Sequence, residues 1–425
     1  MFHQEDRRQR LGSALQVLEG VLVGALGGVA SVAYRFTLAL AATLLSGVHA
    51  WQQRHPLAIL YWFLILIAMA LLVYALTRWE PSIAGGGIPR VAGELQGSFD
   101  APWWRVLLAK FAGGALCAAA GLSLGRAGPS AQLGAMAGKG FARLAHRPRQ
   151  EERLLLTCGA AAGIAATFNA PLAGLLFIAE VLRRDFRTRM LMPCMAAAVT
   201  ADFIASSAFG LTPIFRFPVT ELLPLDRYWL LLLLGIILGA LGAFYNRALA
   251  KTQNLYDRIQ WQPGKLLLPF LLAGVVGLLL PQALGGGTGL MQTLARGHLA
   301  LPLLAALLAA KLLFSLASFG SGAPGGIFLP VLSIGALCGA LFAGVGQALG
   351  LNGAFAANFM VLAMAGLFAA IVRAPMTAVV LCLEMTGSFA QVLGISVVCI
   401  TACAIAGLLG SRPVYTRLLE RLQRR

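Results

Sequence analysis

Charge is what this sequence has least of. Asp, Glu, Lys and Arg make up only 12% of its 425 residues, about half the ~25% of soluble globular chains. Apolar types supply 59%, so there is too little polar surface to cover a water-soluble globule of this length. The same numbers exclude a disordered chain, which needs low hydrophobicity, and no heptad persists to support a coiled coil. Residues 55–77, 154–179, 266–295, 312–372 and 385–411 contain none of the four charged types. Paired cysteines are absent too. The seven (Cys117, Cys158, Cys194, Cys338, Cys382, Cys399, Cys403) all sit in apolar segments without a CxxC spacing, and read as small packing residues. The five histidines have no metal-ligand spacing, and no nucleophile–base pair or HExxH pattern supports an enzyme.

What is present is a set of long apolar runs, which reads as an all-α polytopic membrane protein. As one helix the 312–372 run would extend about 92 Å at ~1.5 Å per residue, three times a ~30 Å bilayer core. It must therefore turn back, and its Gly and Pro clusters mark where. Broken helices in a membrane survive only where protein or a watery cavity covers the freed backbone. The N-terminus has a charged lead and no small-residue cleavage site, so it is expected to be a retained first helix. The net charge of +17 is concentrated at Arg7, Arg8 and Arg10, at Arg183, Arg184, Arg187 and Arg189, at Arg247, Lys251, Arg258 and Lys265, and at Arg421, Arg424 and Arg425. By the positive-inside rule both termini face the cytoplasm. No aromatic residues interleave with these clusters, which speaks against nucleic acid as a partner.

An internal repeat runs through the chain at an offset near 200. Gly85-Gly86-Gly87 returns as Gly285-Gly286-Gly287, Lys110 as Lys311, and Pro129, Gly134 and Gly138 as Pro330, Gly335 and Gly339. Asn169-Ala170-Pro171 with Glu180 returns as Arg373-Ala374-Pro375 with Glu384. Two half-repeats are expected, residues 1–210 and 211–425, the second carrying a further C-terminal helix. Duplicated Gly/Pro-interrupted segments are the mark of transporters that bind substrate near the midplane. Spacing alone leaves parallel and inverted halves both open.

Three Gly-rich, Pro-bearing turns open what the spacing predicts to be short helices: Gly85 to Pro89, Gly125 to Pro129, and Gly325 to Pro330. Proline suits a first helical turn because its missing N–H would be unpaired there anyway. Glycine admits close backbone approach. Three such N-termini, each carrying about +0.5 of a charge, would hold a small anion without a full positive charge beside it. Binding of that strength is favourable yet escapable, as conduction requires. Lys110, Arg126 and Lys311 are expected to supply a positive background at a distance. The competing reading of each motif is helix packing, above all for Gly134 and Gly138. Glu180 and Glu384 are either functional intramembrane acids or matched structural caps. Asp202 has no evident partner.

At these motifs the sequence resembles the CLC family of chloride channels and proton-coupled chloride exchangers. The family's GSGIP, GREGP and GxFxP turns correspond to GGGIP at Gly85–Pro89, GRAGP at Gly125–Pro129 and GIFLP at Gly326–Pro330. Its FNAPLAG segment corresponds to Phe168–Glu180, its SGAPGG approach to Ser321–Gly326, its LEMTG end to Leu383–Gly387, and its pore tyrosine to Tyr415. The resemblance implies a CLC-type inverted repeat of broken and tilted helices, assembled as a homodimer in a bacterial inner membrane. It implies an anion site built from Gly86, Gly87, Ile88, Ile327, Phe328 and Tyr415, chloride or a similar small anion as the transported ion, lipid as the surroundings, and no cofactor. The paired CBS domains that follow Tyr415 in many relatives are not expected. Departures from the family pattern bear on mechanism. The gating glutamate of GREGP is Ala127, the acid of the proton route is Val181, an acid past the GSGIP proline is Ala92, and the GSGIP serine is Gly86. A proton relay needs titratable groups within reach of one another. The reading that follows is a passive, proton-uncoupled chloride channel or uniporter. Its alternatives are a proton-coupled exchanger using other acids, or a non-conducting relative.

Overall fold

The computed structural model describes residues 2–183, 188–215, 217–219, 221–297 and 299–424. Of the basic clusters, Arg184, Arg187 and Arg425 fall outside the described residues, as do the side chains of Arg7, Arg8, Arg10, Arg183 and Arg189. The first half folds as α1 (Phe2–Arg54), α2 (Leu57–Trp79), α3 (Ile88–Gln96), α4 (Trp103–Ala119), α5 (Ala127–Leu144), α6 (Arg149–Phe168), α7 (Pro171–Phe177) and α8 (Thr188–Phe209). The second half follows as α9 (Trp229–Asp257), α10 (Gln262–Leu279), α11 (Thr288–Arg296), α12 (Leu301–Gly320), α13 (Phe328–Ala348), α14 (Ala356–Val372), α15 (Pro375–Thr386) and α16 (Val392–Leu408). A final helix, α17 (Val414–Gln423), has no counterpart. Eight elements thus recur in the same order, α1 with α9 through α8 with α16. Among the described residues nine helices are long and apolar enough to cross a membrane.

The 312–372 run makes three passes, as α12, α13 and α14, and breaks where the glycines stand. Of the three turns expected to open short helices only that of α3 does so. Its nine residues rise about 14 Å at ~1.5 Å each, about half the thickness of a ~30 Å bilayer core. α5 has 18 residues and α13 has 21, because small residues let both run on against a neighbour. A Cβ on Gly134 would lie 2.1 Å from the Gly159 carbonyl oxygen, and one on Gly138 2.2 Å from that of Leu155. The matched glycines do the same in the second half: Gly335 meets Ala363 and Gly339 meets Phe359. These four are the close-packing surfaces anticipated for such pairs. α14 is buried along all its 17 residues, whereas α2 shows Leu57, Leu60, Leu64 and Leu72 on its outer face, which suits lipid contact.

The halves are inverted. Glu384, near the end of α15, accepts hydrogen bonds from the Leu172 and Ala173 N–H groups at the start of α7, at 3.1 and 2.8 Å. Glu180, just past α7, accepts in return from Met376 N (3.3 Å), Thr377 N (2.8 Å) and the Thr377 hydroxyl (2.7 Å) at the start of α15. Each helix's end meets the other's beginning, so α7 and α15 lie antiparallel. The two intramembrane acids are therefore mutual N-terminal caps, each placing a carboxylate on orphan N–H groups and on the positive helix end.

Candidate functional site

The glycine loops of the two halves are sewn together at the centre of the molecule. Gly125 and Gly326 exchange backbone hydrogen bonds as an isolated antiparallel bridge. Gly85 N donates to Gly322 O at 2.9 Å and Gly325 N to Gly85 O at 3.2 Å; in the other half Gly285 N donates to Gly121 O at 2.8 Å. Each glycine triplet is also braced by a buried lysine. The Lys110 ammonium donates to the carbonyls of Ile83 (2.7 Å) and Gly85 (2.6 Å), and Lys311 donates to those of Ala283 (3.0 Å) and Gly285. These lysines do more than the distant background charge expected of them. They satisfy carbonyls that would otherwise oppose an anion, and they fix the loops that aim the helix ends. The matched positions of the lysines were legible in the repeat, but their partners were not.

Three helix N-termini meet at this seam. α3 starts after Gly87, α5 after Arg126 and α13 after Ile327, and none has a side-chain cap. The first intrahelical bonds are Val91 N to Gly87 O, Ser130 N to Arg126 O and Val331 N to Ile327 O. The first-turn N–H groups of Ile88, Ala127, Gly128, Phe328 and Leu329 therefore have no intrahelical acceptor. Only glycine permits the approach: a Cβ on Gly128 would lie 1.9 Å from the Gly86 carbonyl oxygen, and Gly87 itself has φ +84°. Beside Gly86, where the family motif has serine, the Phe319 ring edge lies 3.3 Å from a built Cβ.

Tyr415 joins the same seam through aromatic rings. Its ring is edge-on to Phe177 at 6.1 Å between centroids, and Phe177 lies 6.3 Å from Phe328, which stacks on Phe168 at 4.8 Å. The Tyr415 side chain is 6% exposed and its hydroxyl is buried with no hydrogen-bond partner, an arrangement disfavoured unless something else occupies that direction. Ala127 is buried at the first position of α5, beside the Gly128 that meets the Gly86 carbonyl. Val181 lies in the widened turn Ile178–Arg183 that packs on α3. The structure thus brings Gly86, Gly87, Ile88, Ala127, Ile327, Phe328 and Tyr415 together, with Val181 one layer away. Sequence reasoning missed the rings of Phe168, Phe177 and Phe368 that pack around Phe328 and the Phe319 ring beside Gly86; apolar residues in an apolar chain gave no signal. Asp202, on α8, has one buried carboxylate oxygen without a hydrogen-bond partner, and its charged neighbour is Arg35. Among the described residues no three His, Cys, Asp or Glu side chains form a metal cluster.

With both its oxygens engaged, Glu180 is poorly placed to ferry a proton. Glu180→Gln replaces one acceptor by a donor that faces an N–H group. It should cost about 1–3 kcal/mol of stability and leave anion flux and its pH response unchanged. A thermal melt alongside a liposome flux assay tests this; altered pH response at retained fold would return Glu180 to the proton route.

A cavity opens on each side of the seam. One, of 420 Å³, is lined by Ala84–Gly87 and Phe319 and ringed by Arg78, Lys265 and the C-terminal helix. The other, of 630 Å³, is lined by Gly285–Gly287, Leu329 and Arg126, whose Nε is buried without a partner. Each half's glycine triplet therefore faces its own cavity. Two basic vestibules separated by backbone N–H groups are a geometry for drawing in and passing small anions.

Inverted broken helices whose amide ends converge between two vestibules define an anion transporter of the inverted-repeat membrane class. The chain belongs to the CLC family: the family model described as voltage gated chloride channel matches residues 68–407. It is 36% identical over 422 residues to the Citrobacter koseri protein named H(+)/Cl(-) exchange transporter ClcA, covering 95% of this chain and 88% of that one. The Yersinia pseudotuberculosis protein of the same name is 36% identical over 418 residues, covering 95% and 86%. Among solved structures, a slow cyanobacterial Cl-/H+ antiporter superposes with a TM-score of 0.91 at 30% identity, covering 96% of this chain and 98% of that one.

Proposed function

We propose that this chain carries chloride or similar small anions across a bacterial inner membrane, with both termini cytoplasmic. The halves 1–210 and 211–425 each contribute helix ends to one pathway per subunit of a homodimer. The anion is held by the N–H groups of Gly87, Ile88, Ile327 and Phe328 and by the Tyr415 hydroxyl, with Gly86 leaving room where a serine would add a donor. We propose further that transport is passive. The observation carrying this reading is Ala127, whose methyl group occupies the tip of α5 where a gating acid would titrate. Val181 and the engaged Glu180 supply no replacement.

A second reading, proton-coupled exchange, is favoured by the names of the relatives, and on the comparisons alone it has the stronger support. It would require acids other than those the family motif uses. Reversal potentials under simultaneous chloride and pH gradients separate the two. Passive transport gives the chloride equilibrium potential whatever the pH gradient. A reversal potential that moves with the pH gradient, or chloride driven uphill by protons, would establish exchange.

A further inference from the structure

The two halves differ in what fills the space beside the first half-helix. In the first half a charged cluster fills it. The Lys139 ammonium, fully buried, pairs with Glu94 at 2.5 Å and Asp100 at 2.8 Å, and Arg143 pairs with Asp100 and Glu152. Burial alone would raise the Asp100 carboxyl, but Lys139 and Arg143 outweigh it and hold it down at about 2. The repeat offsets give the counterparts of four of its five members. Glu94 becomes Leu294, Lys139 becomes Ala340, Arg143 becomes Gly344, and Glu152 becomes Ala356. The matching glycine contacts of α5 on α6 and α13 on α14 hold these equivalences in space. Trp103, which packs on Gly140, becomes Leu304. Long charged and aromatic side chains are thus replaced by short apolar ones, and a cavity of 750 Å³ stands in their place, lined by all five counterparts.

We propose that this cavity takes one acyl chain of an anionic phospholipid, whose head group rests on Arg296. Its walls are mostly leucine, alanine and glycine with Met360 and Pro218, and Gln347 and Arg296 are the polar side chains among them, so it offers an apolar ligand a largely hydrocarbon surface with a polar rim. The loop residues Gly297 and Gly353 line it, so it lies at helix ends, and the inversion of the halves sets it on the opposite face from the first half's charged cluster. Val345 and Leu349 beside the rim are exposed apolar side chains, so hydrocarbon is the nearest source of an occupant. Arg296 supplies the charge complementarity: it is exposed and lines both this cavity and a neighbouring one of 380 Å³, as an anionic head group at a membrane surface requires.

Native mass spectrometry of the full-length protein, with phosphatidylglycerol and phosphatidylcholine of identical chains as probes, tests this. Wild type is expected to retain one phosphatidylglycerol per protomer, at least fivefold over phosphatidylcholine. Arg296→Gln should abolish that preference. Leu294→Glu with Ala340→Lys, which transplants the first half's ion pair, should remove the retained lipid of either kind. Retention unchanged by the double substitution, or no head-group preference in wild type, overturns the proposal. Should the double variant fail to fold, a melting temperature of wild type that is the same in phosphatidylglycerol as in phosphatidylcholine overturns it independently, and Ala340→Leu supplies a milder filling. Displacement by glycerol phosphate alone would mark a head-group site without a chain and likewise overturns it.

Discussion

Ala127→Glu is expected to convert steady anion flux into flux that is shut near neutral pH and released by acid. The residue begins α5, at the point where the unpaired N–H groups of α5 and α13 and the Gly86 carbonyl come together. A carboxylate on a two-carbon stem at this tip would find the donors proposed to hold the anion, together with the positive end of a helix. Being covalently attached, it would compete at high effective concentration, so flux at about pH 7 should fall at least roughly tenfold. Protonation removes the negative charge and with it the competition. The sign follows: block above the glutamate's own pKa, relief below it. Chloride efflux from liposomes at about pH 7 and about pH 4 measures it. Equal flux at both values in a folded variant would remove Ala127 from the pathway and, with it, the main support for passive transport.

How much of this was legible in the sequence depends on what each feature is made of. The membrane class and the break points were, because both rest on residue types that have few other uses. Sixty-one residues without a charge cannot be one helix, and Gly85–Gly87 and Gly285–Gly287 mark turns wherever they stand. The inversion was not, since spacing is blind to direction; it took Glu180 on Thr377 and Glu384 on Ala173 to show α7 and α15 antiparallel. The same bonds decided between two readings of these acids that the sequence held open. Lys110 and Lys311 were recognisable as anomalies, yet their acceptors are backbone carbonyls 25 to 28 residues away, which no side-chain pattern encodes. Helix lengths after the turns were misjudged for a related reason. The glycines that let α5 and α13 continue do so by meeting carbonyls on α6 and α14, and only the packing reveals that partner.

Tyr415→Phe should separate anion affinity from stability. A hydroxyl that merely supported the fold would have a protein partner, and its removal would cost about 1 kcal/mol. The Tyr415 hydroxyl has none, while its ring is held by Phe177 and by burial among α17, α3 and α14. Phenylalanine keeps that ring packing, so the melting temperature of the chloride-free protein should be unchanged or slightly higher, an unsatisfied buried polar atom having been removed. Anion binding should weaken. A hydrogen bond to a charged acceptor contributes about 1.5–3 kcal/mol, which is roughly ten- to a hundredfold in Kd. Calorimetric titration with chloride and with bromide reads the affinity, and a melt with and without halide reads the linkage: the stabilisation that halide gives wild type should shrink in the variant. Loss of stability in chloride-free buffer with affinity retained would reassign the tyrosine to the core. The backbone donors of Gly87, Ile88, Ile327 and Phe328 are untouched by this substitution, so residual binding at the weakened level is itself expected. Complete loss would mean that the hydroxyl, not the helix ends, is the principal donor.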